Sequence, residues 1–272
     1  MLLLVMASML GQVNAEALKA APWKAGVSLG ADGSLALGRG NVVFLDLGGT
    51  VRAQWQTLHP ADGSGISWVK QRVFAVTNAR YSETARGAFV NQTFAHARWT
   101  AMWHPRVGFD VFVQYQTNLF LRMQARAVGG PGVRVEAIRS KYLALWAGSA
   151  VMFEYDQLSP REGSTERLAT FDVRWSSYLT ARLSCFDAKL LVQNTTYAQP
   201  RFDAFADARF LNETEVMAKV VDALMLGVTV SVLHDTQPPQ GVVPTDLRVL
   251  TVLRFSLEFA PPPVAEPAAT TQ

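Results

Sequence analysis

Asp222-Ala-Leu-Met-Leu-Gly-Val-Thr-Val-Ser-Val-Leu-His-Asp-Thr236 and Asp246-Leu-Arg-Val-Leu-Thr-Val-Leu-Arg-Phe-Ser-Leu-Glu-Phe259 are two alternating segments. Between them lies Gln237-Pro-Pro-Gln-Gly-Val-Val-Pro-Thr245, a stretch of turn residues. This is the pattern of a β-hairpin. In the second segment Leu247, Val249, Leu253, Phe255, Leu257 and Phe259 alternate with Arg248, Arg254, Ser256 and Glu258. Side chains of a strand point to opposite faces in turn, so one face is apolar and the other carries charge. The segment is longer than the roughly 5–6 residues of an ordinary strand. It meets the length of about 9–11 residues, and the alternation, of a strand that crosses a bilayer.

The rest of the chain repeats the pattern. Hydrophobic residues make up 49% of the 272 and charged residues 17%, below the roughly 25% charge of average soluble proteins. Beyond the N-terminus no run approaches the about 18 apolar residues of a membrane helix. Low charge without a helical span suits a membrane barrel, in which half of each strand faces lipid.

Alternating segments begin at Trp23, Val43 and Ile66, and others end at Trp103 and Tyr115. A sixth runs from Asn118 past Gly129-Gly-Pro-Gly132, where Pro131 cannot donate to a ladder, so a bulge or bend is expected there. Lys141 to Tyr155 is apolar on both faces and leaves its sides unassigned. Phe171 to Arg182 is an eighth strand, Ser184 opens a ninth, and a tenth runs through Lys219. With the hairpin the count is about twelve, and no segment reads as a helix. The fold expected is all-β, a transmembrane antiparallel up-and-down barrel over 23–259, with an even strand number that puts both ends on one side.

Met1 to Ala15 has an apolar core and ends Val13-Asn14-Ala15, the small-residue pattern of a cleaved export signal. Residues 16–22 form a spacer, and 260–272 a Pro/Ala-rich tail expected to be disordered or extended. These features place the chain in the Gram-negative outer membrane, surrounded by its lipid. The formal charge of +3 is mild, and no basic block interleaved with aromatics points to nucleic acid. Cys185 is the single cysteine, which excludes an intrachain disulfide and a site of paired cysteines.

Trp23 to Gly40-Asn41, the glycine-interrupted strand Arg126 to Val133, and His234-Asp-Thr-Gln-Pro-Pro239…Thr245-Asp246 with a final strand ending in Phe resemble a family. It is the domain of unknown function 481 group of Gram-negative outer-membrane proteins, often described as salt-induced. The resemblance implies an outer-membrane barrel, insertion by the barrel assembly machinery and a link to envelope or osmotic stress. It implies no catalytic motif. In that family the final aromatic usually ends the chain, whereas here 260–272 follow Phe259.

No motif here carries catalysis. Gly26-Val-Ser-Leu-Gly30 has the letters of Gly-x-Ser-x-Gly but lies in the first alternating segment with no helix after it, and His-Glu-x-x-His is absent from the sequence, which speaks against a phospholipase or a zinc protease. His234 adjoins Asp235 near Thr236 and Thr245, a conceivable hydrolase pair, yet turn chemistry accounts for this run. His96 reads as a hydrogen-bonded filler. Trp55, Trp99, Trp103, Trp146 and Trp175 are candidates for interfacial girdles. No cofactor or metal ligand set is expected, and the protein is read as a non-enzyme.

The remaining signal is the polar face. The candidate lumen-lining residues are Arg52, Arg72, Arg80, Arg98, Arg122, Arg126, Asp172, Arg174, Arg182, Lys189, Glu213, Glu215, Arg248 and Arg254. Asp110 and Asp187 are assigned to the same face, where basic residues outnumber acidic ones. Two roles remain open: a salt-bridged network that fills the lumen and supports a structural barrel, or a narrow pore that prefers anions. A barrel of about twelve strands lies between the filled eight-stranded kind and the open porins, so size does not decide.

Overall fold

The computed structural model describes residues 25–38, 44–60, 67–84, 87–119, 121–160, 162–163 and 165–259. The export signal, the spacer, Gly40-Asn41 and the tail lie outside them. The first strands are β1 (Gly26–Gly38), β2 (Phe44–Leu58), β3 (Val69–Thr84) and β4 (Gly87–His104). Next come β5 (Val107–Asn118), β6 (Met123–Arg139), β7 (Leu143–Leu158) and β8 (Ala169–Cys185). Last are β9 (Leu190–Pro200), β10 (Ala208–Val221), β11 (Leu224–Asp235) and β12 (Thr245–Phe259). Each strand pairs antiparallel with its sequence neighbour, and β1 pairs with β12. The sheet is therefore a closed barrel of twelve strands with no free edge along its wall, the arrangement that satisfies every ladder in a medium without water.

The opening hairpin is β11 and β12, in register from His234↔Thr245 to Leu224↔Phe255. The apolar face read from the sequence is the outer one: Leu247, Val249, Leu253 and Phe255 are exposed. The same inversion holds around the wall. Val51, Val73, Val113 and Leu179 face out, while Arg52, Gln54, Gln116 and Arg174 are buried within. A soluble protein would not leave such a belt open to water; a lipid-facing barrel requires it. Trp55 and Trp103 stand exposed near the ends of β2 and β4, as a girdle demands. Trp146 does not belong to it. It is buried in the lumen, because β7 turns Ala144, Trp146, Met152 and Glu154 inward.

The barrel has two unlike rims. One, the loop rim, carries 119–122, 159–168, 201–207 and 236–244. The other, the turn rim, carries both strand ends Gly26 and Phe259 and the tight turns at 105–106, 140–142, 186–189 and 222–223. The longer connection between β2 and β3 is also on the turn rim. Its end folds under the barrel: Trp68 is buried, and the guanidinium groups of Arg139 and Arg106 lie 5.1 and 5.6 Å from its ring centre. Arg139 Nη1 donates to the Ser67 carbonyl at 3.0 Å, and the His59 amide to the Trp68 carbonyl at 2.7 Å.

Three strand expectations are corrected. The sixth strand does not run from Asn118, which ends β5, since β6 begins at Met123. The ninth strand does not open at Ser184, since Cys185 ends β8 and β9 begins at Leu190. Phe186, Asp187 and Ala188 have φ of 52, 54 and 63°, and left-handed backbone cannot continue a strand. Nor is there a register shift at Pro131. β6 passes through it, aligned with Val111 of β5, and its ladder to β7 skips Gly130 and Pro131 there while keeping register from Gly129↔Phe153 to Gly132↔Ala150. The bulges of β6 sit instead between Met123 and Ala125 and between Glu136 and Ile138.

Candidate functional site

In this barrel the core is the lumen, so the candidate site and the fold's interior are one set of side chains. Three groups fill it. The first spans β6, β7, β8, β10 and β11 toward the loop rim, around Glu154. Its carboxylate takes Arg126 at 3.0 Å, Arg174 at 3.1 Å and Arg209. Asp156, two residues along the same inward face, meets Arg126 at 3.4 Å and Arg209 at 3.2 Å. Arg209 also reaches Asp235 at 2.9 Å, and Arg174 reaches Asp207 at 3.0 Å. Above them Arg201 ties Asp172 at 3.3 Å, Asp203 at 2.6 Å and Asp207 at 3.2 Å. The hydrogen bond from Arg201 holds the Asp203 carboxyl below the usual carboxylate range, and that bond in turn raises the Arg201 pKa.

The second group lies toward the turn rim and alternates arginine with aromatic rings. Arg98 of β4 sits 5.2 Å from the Phe112 ring centre and 5.6 Å from that of Tyr178, and 3.7 Å from Asp110. Thr100 also donates to Asp110. Arg134 donates to the Tyr178 hydroxyl at 2.9 Å and shares Glu136 with Arg139. Arg134 and Arg182 pack at 5.3 and 5.6 Å from the Trp146 ring centre, and Arg182 Nε donates to Gln193 at 2.6 Å. Cation–π contacts of this kind gain strength where water is excluded. Gly148 makes room for this stack, since a Cβ there would meet the Tyr178 ring at 2.3 Å. Apolar inward residues complete the filling: Phe74, Val76 and Phe94 form one cluster, with His96 stacked between Phe94 and Phe112.

The third group crosses the seam where β1 meets β12. Arg52 Nη1 meets Asp32 at 2.6 Å, and Arg254 meets the same carboxylate at 3.4 Å and also binds Glu215. Four strands (β2, β1, β12 and β10) are joined by one chain of charges. Glu213 beside it accepts from Ser231 at 2.7 Å, and Arg72 donates to Gln56 at 3.0 Å.

Of the residues expected in the lumen, Arg52, Arg72, Arg98, Arg126, Arg174, Arg182, Glu213, Glu215 and Arg254 take part in these inward contacts. Arg80, Arg248 and Asp172 are half-buried on inward positions of their strands. Two placements are corrected. Lys189 is exposed in the turn after β8, with Asp187, which pairs with Lys141 at 3.0 Å outside the barrel wall. Arg122 is not on a wall either. It stands in the turn after β5 with φ 58° and bridges three loops: Nη1 meets Glu166 at 2.6 Å and the Gln240 carbonyl at 3.1 Å, and Nη2 the Ser159 carbonyl at 2.9 Å.

Arg134, Glu136, Arg139, Glu154, Asp156 and Arg209 were not singled out from the sequence. Their signal was present as parity: each lies an even step from another inward residue of its own strand, apart from Arg139 beyond the β6 bulge. The His234–Asp235 pair dissolves as chemistry. Adjacent residues of β11 face opposite ways: His234 bonds the Thr245 hydroxyl at 2.8 Å near Phe210, while Asp235 turns in to Arg209. Among the described residues no group of three His, Cys, Asp or Glu side chains is placed to hold a metal ion.

The model of the family described as "Protein of unknown function, DUF481" matches residues 67–257. The chain belongs to that family. The match runs from just before β3 into the last residues of β12 and holds the first two lumen groups, while Asp32, Arg52 and Gln56 of the third lie before it. No curated protein matches the chain. Among solved structures it is similar to the NanC porin, with a TM-score of 0.44 and 10% identity over 86% of this chain and 98% of that one. The KdgM porin in complex with disordered oligogalacturonate gives 0.40 and 7%, over 84% and 96%. The outer membrane channel DcaP of Acinetobacter baumannii gives 0.37 and 12%, over 85% and 96%.

Proposed function

We propose that this DUF481 chain is a non-enzymatic barrel of the Gram-negative outer membrane whose lumen is shut at rest. Its role is structural, or that of a partner-binding element of the envelope. One observation carries this: side chains meet across the lumen, with Arg98 of β4 packed on Tyr178 of β8, strands separated by three others in the ring. A pore wide enough for hydrated solutes would leave such side chains wet, yet Arg134, Gln116, Gln193 and Glu154 are each about as buried as core leucines, at 1% exposure. Residues 1–15 act as the export signal, 16–22 as a spacer, and the loop rim faces outward from the cell, as short periplasmic turns and longer outer loops suggest. Outer-membrane lipid surrounds the belt, and the barrel assembly machinery inserts the chain.

Planar bilayers test the proposal. The purified, heat-modifiable barrel is expected to give no steps above background, and steady conductance in the wild type would sink it. A second role, an anion-preferring path, is favoured by one feature. Toward the loop rim the inward residues Arg248 and Leu250 of β12 and Asn78 and Arg80 of β3 are half-buried where most of the interior is fully buried.

A further inference from the structure

The connection 236–244 does not stand up from the hairpin that bears it. β11–β12 and the β5–β6 turn lie on opposite sides of the ring, six strands apart by either route. Yet Arg122 of that turn bonds the Gln240 carbonyl at 3.1 Å, and the Gln240 amide donates to Glu166 of the β7–β8 loop. Val242 packs on Leu121 and Met123, both 8% exposed. The loop therefore spans the mouth and is clasped at its far end. The clasp is made of side chains from three separate connections, while the loop's own ends are fixed by β11 and β12. Release of the clasp would break only these few local contacts.

Beneath the mouth the interior is uneven. Thr50 of β2, Asn78 and Arg80 of β3, and Asp246, Arg248 and Leu250 of β12 are half-buried on inward positions. These strands adjoin through β1. Deeper along β2 and β3 Arg52, Phe74 and Val76 are fully packed, so the space closes below on that side. Among the described half-buried inward residues of β1, β2, β3 and β12, the guanidinium groups of Arg80, Arg248 and Arg254 stand against the carboxylates of Asp32 and Asp246.

We propose that the connection 236–244 is a lid over a basic chamber open only from the loop rim, and that release of the Arg122 clasp admits small anions to it. The proposal rests on the shut-barrel reading, because the chamber must end blind. The two fail separately: wild-type conductance would overturn the shut barrel, whereas thiol labelling tests the lid.

The probe is Leu250→Cys in a Cys185→Ser background, labelled in the folded protein with sulfonatoethyl or trimethylammonioethyl methanethiosulfonate. With the lid in place reaction is expected to be slow. Arg122→Ala is expected to speed it about tenfold, the factor that corresponds to about 1.4 kcal/mol taken from the clasped state, with the sulfonate faster than the ammonium reagent. Glu166→Gln, which keeps the side chain's size, gives the same direction should Arg122→Ala fold poorly. A disulfide between Leu121→Cys and Val242→Cys locks the lid and is expected to suppress labelling. Equal rates in clasped, released and locked proteins would overturn the lid, and a faster ammonium reagent would overturn the anion class.

Discussion

Tyr178 of β8 donates its hydroxyl hydrogen to Asp110 of β5 across the lumen, at 3.3 Å. The same oxygen accepts from Arg134 of β6 at 2.9 Å. One phenol thus holds a buried cation and a buried anion that belong to different strands. Burying either without a partner costs more than the bond itself contributes.

Tyr178→Phe keeps the ring under Arg98 and removes only the hydroxyl. The expected loss is about 1–3 kcal/mol, the usual penalty for leaving a buried polar group unsatisfied. Urea unfolding of the barrel in lipid vesicles, followed by tryptophan fluorescence, measures it. An unchanged midpoint would show that water enters to replace the bond, and the filled lumen would have to be given up.

Glu154→Gln is expected to be harsher. Three guanidinium groups converge on that carboxylate, and the side chain is 1% exposed. Removing one charge from a buried cluster costs about 3–5 kcal/mol because the remaining charges stay desolvated. Heat-dependent gel mobility and the same urea titration report it. Glu162→Gln, on the exposed loop after β7, serves as the control and is expected to leave both readouts unchanged.

These two residues mark how far the sequence could be read. Strand alternation assigned β8, and β12 over 247–255, without error, because each carries charge on one face and branched or aromatic residues on the other. β7 resisted because the inward face of its turn-rim part is Ala144, Trp146, Gly148, Ala150 and Met152, as apolar as the outer one, with Glu154 and Asp156 only beyond it; Gly148 is inward to admit Tyr178, a reason that exists only once β8 is beside it. Arg122 and Lys189 were misplaced by one or two residues of turn, set by the left-handed φ of Arg122 and of Phe186 to Ala188. None of these is glycine, so the letters give no warning. Which carboxylate meets which arginine depends on how far each strand is staggered round the ring, and alternation within one strand does not contain that.

The exposed pair Lys141–Asp187 joins two turns of the same rim at 3.0 Å. Its hydrogen bond pulls the Asp187 carboxyl below its usual range and pushes the Lys141 ammonium above its own. A depressed carboxyl stabilises above its unfolded pKa, about 3.9, and loses that as pH falls through the folded value. A raised ammonium stabilises below its unfolded pKa, about 10.4, and loses that as pH rises through the folded value. Wild type and Asp187→Asn are therefore expected to differ only on the plateau between, and slightly, since exposed pairs are weak and screened by salt. Unfolding midpoints at acid, neutral and strongly alkaline pH, in low and high salt, check this; a gap that persisted in acid would contradict it.

The hairpin of β11 and β12 supplies the test of setting. Leu253 points outward near the middle of β12, half exposed at 50%, between Leu226 of β11 and Gly33 of β1. In water Leu253→Arg would be a benign surface change, within about 0.5 kcal/mol. In a bilayer the charge sits near the hydrocarbon midplane, and the penalty is about 2–4 kcal/mol. Val243→Arg, exposed on the connection 236–244, is the companion and is expected to stay near wild type in both media. Reversible unfolding of both variants in lipid vesicles decides between the two settings. Equal stability of Leu253→Arg and Val243→Arg there would mean that the apolar face of β12 does not meet lipid, and the transmembrane setting of the barrel would fall with it.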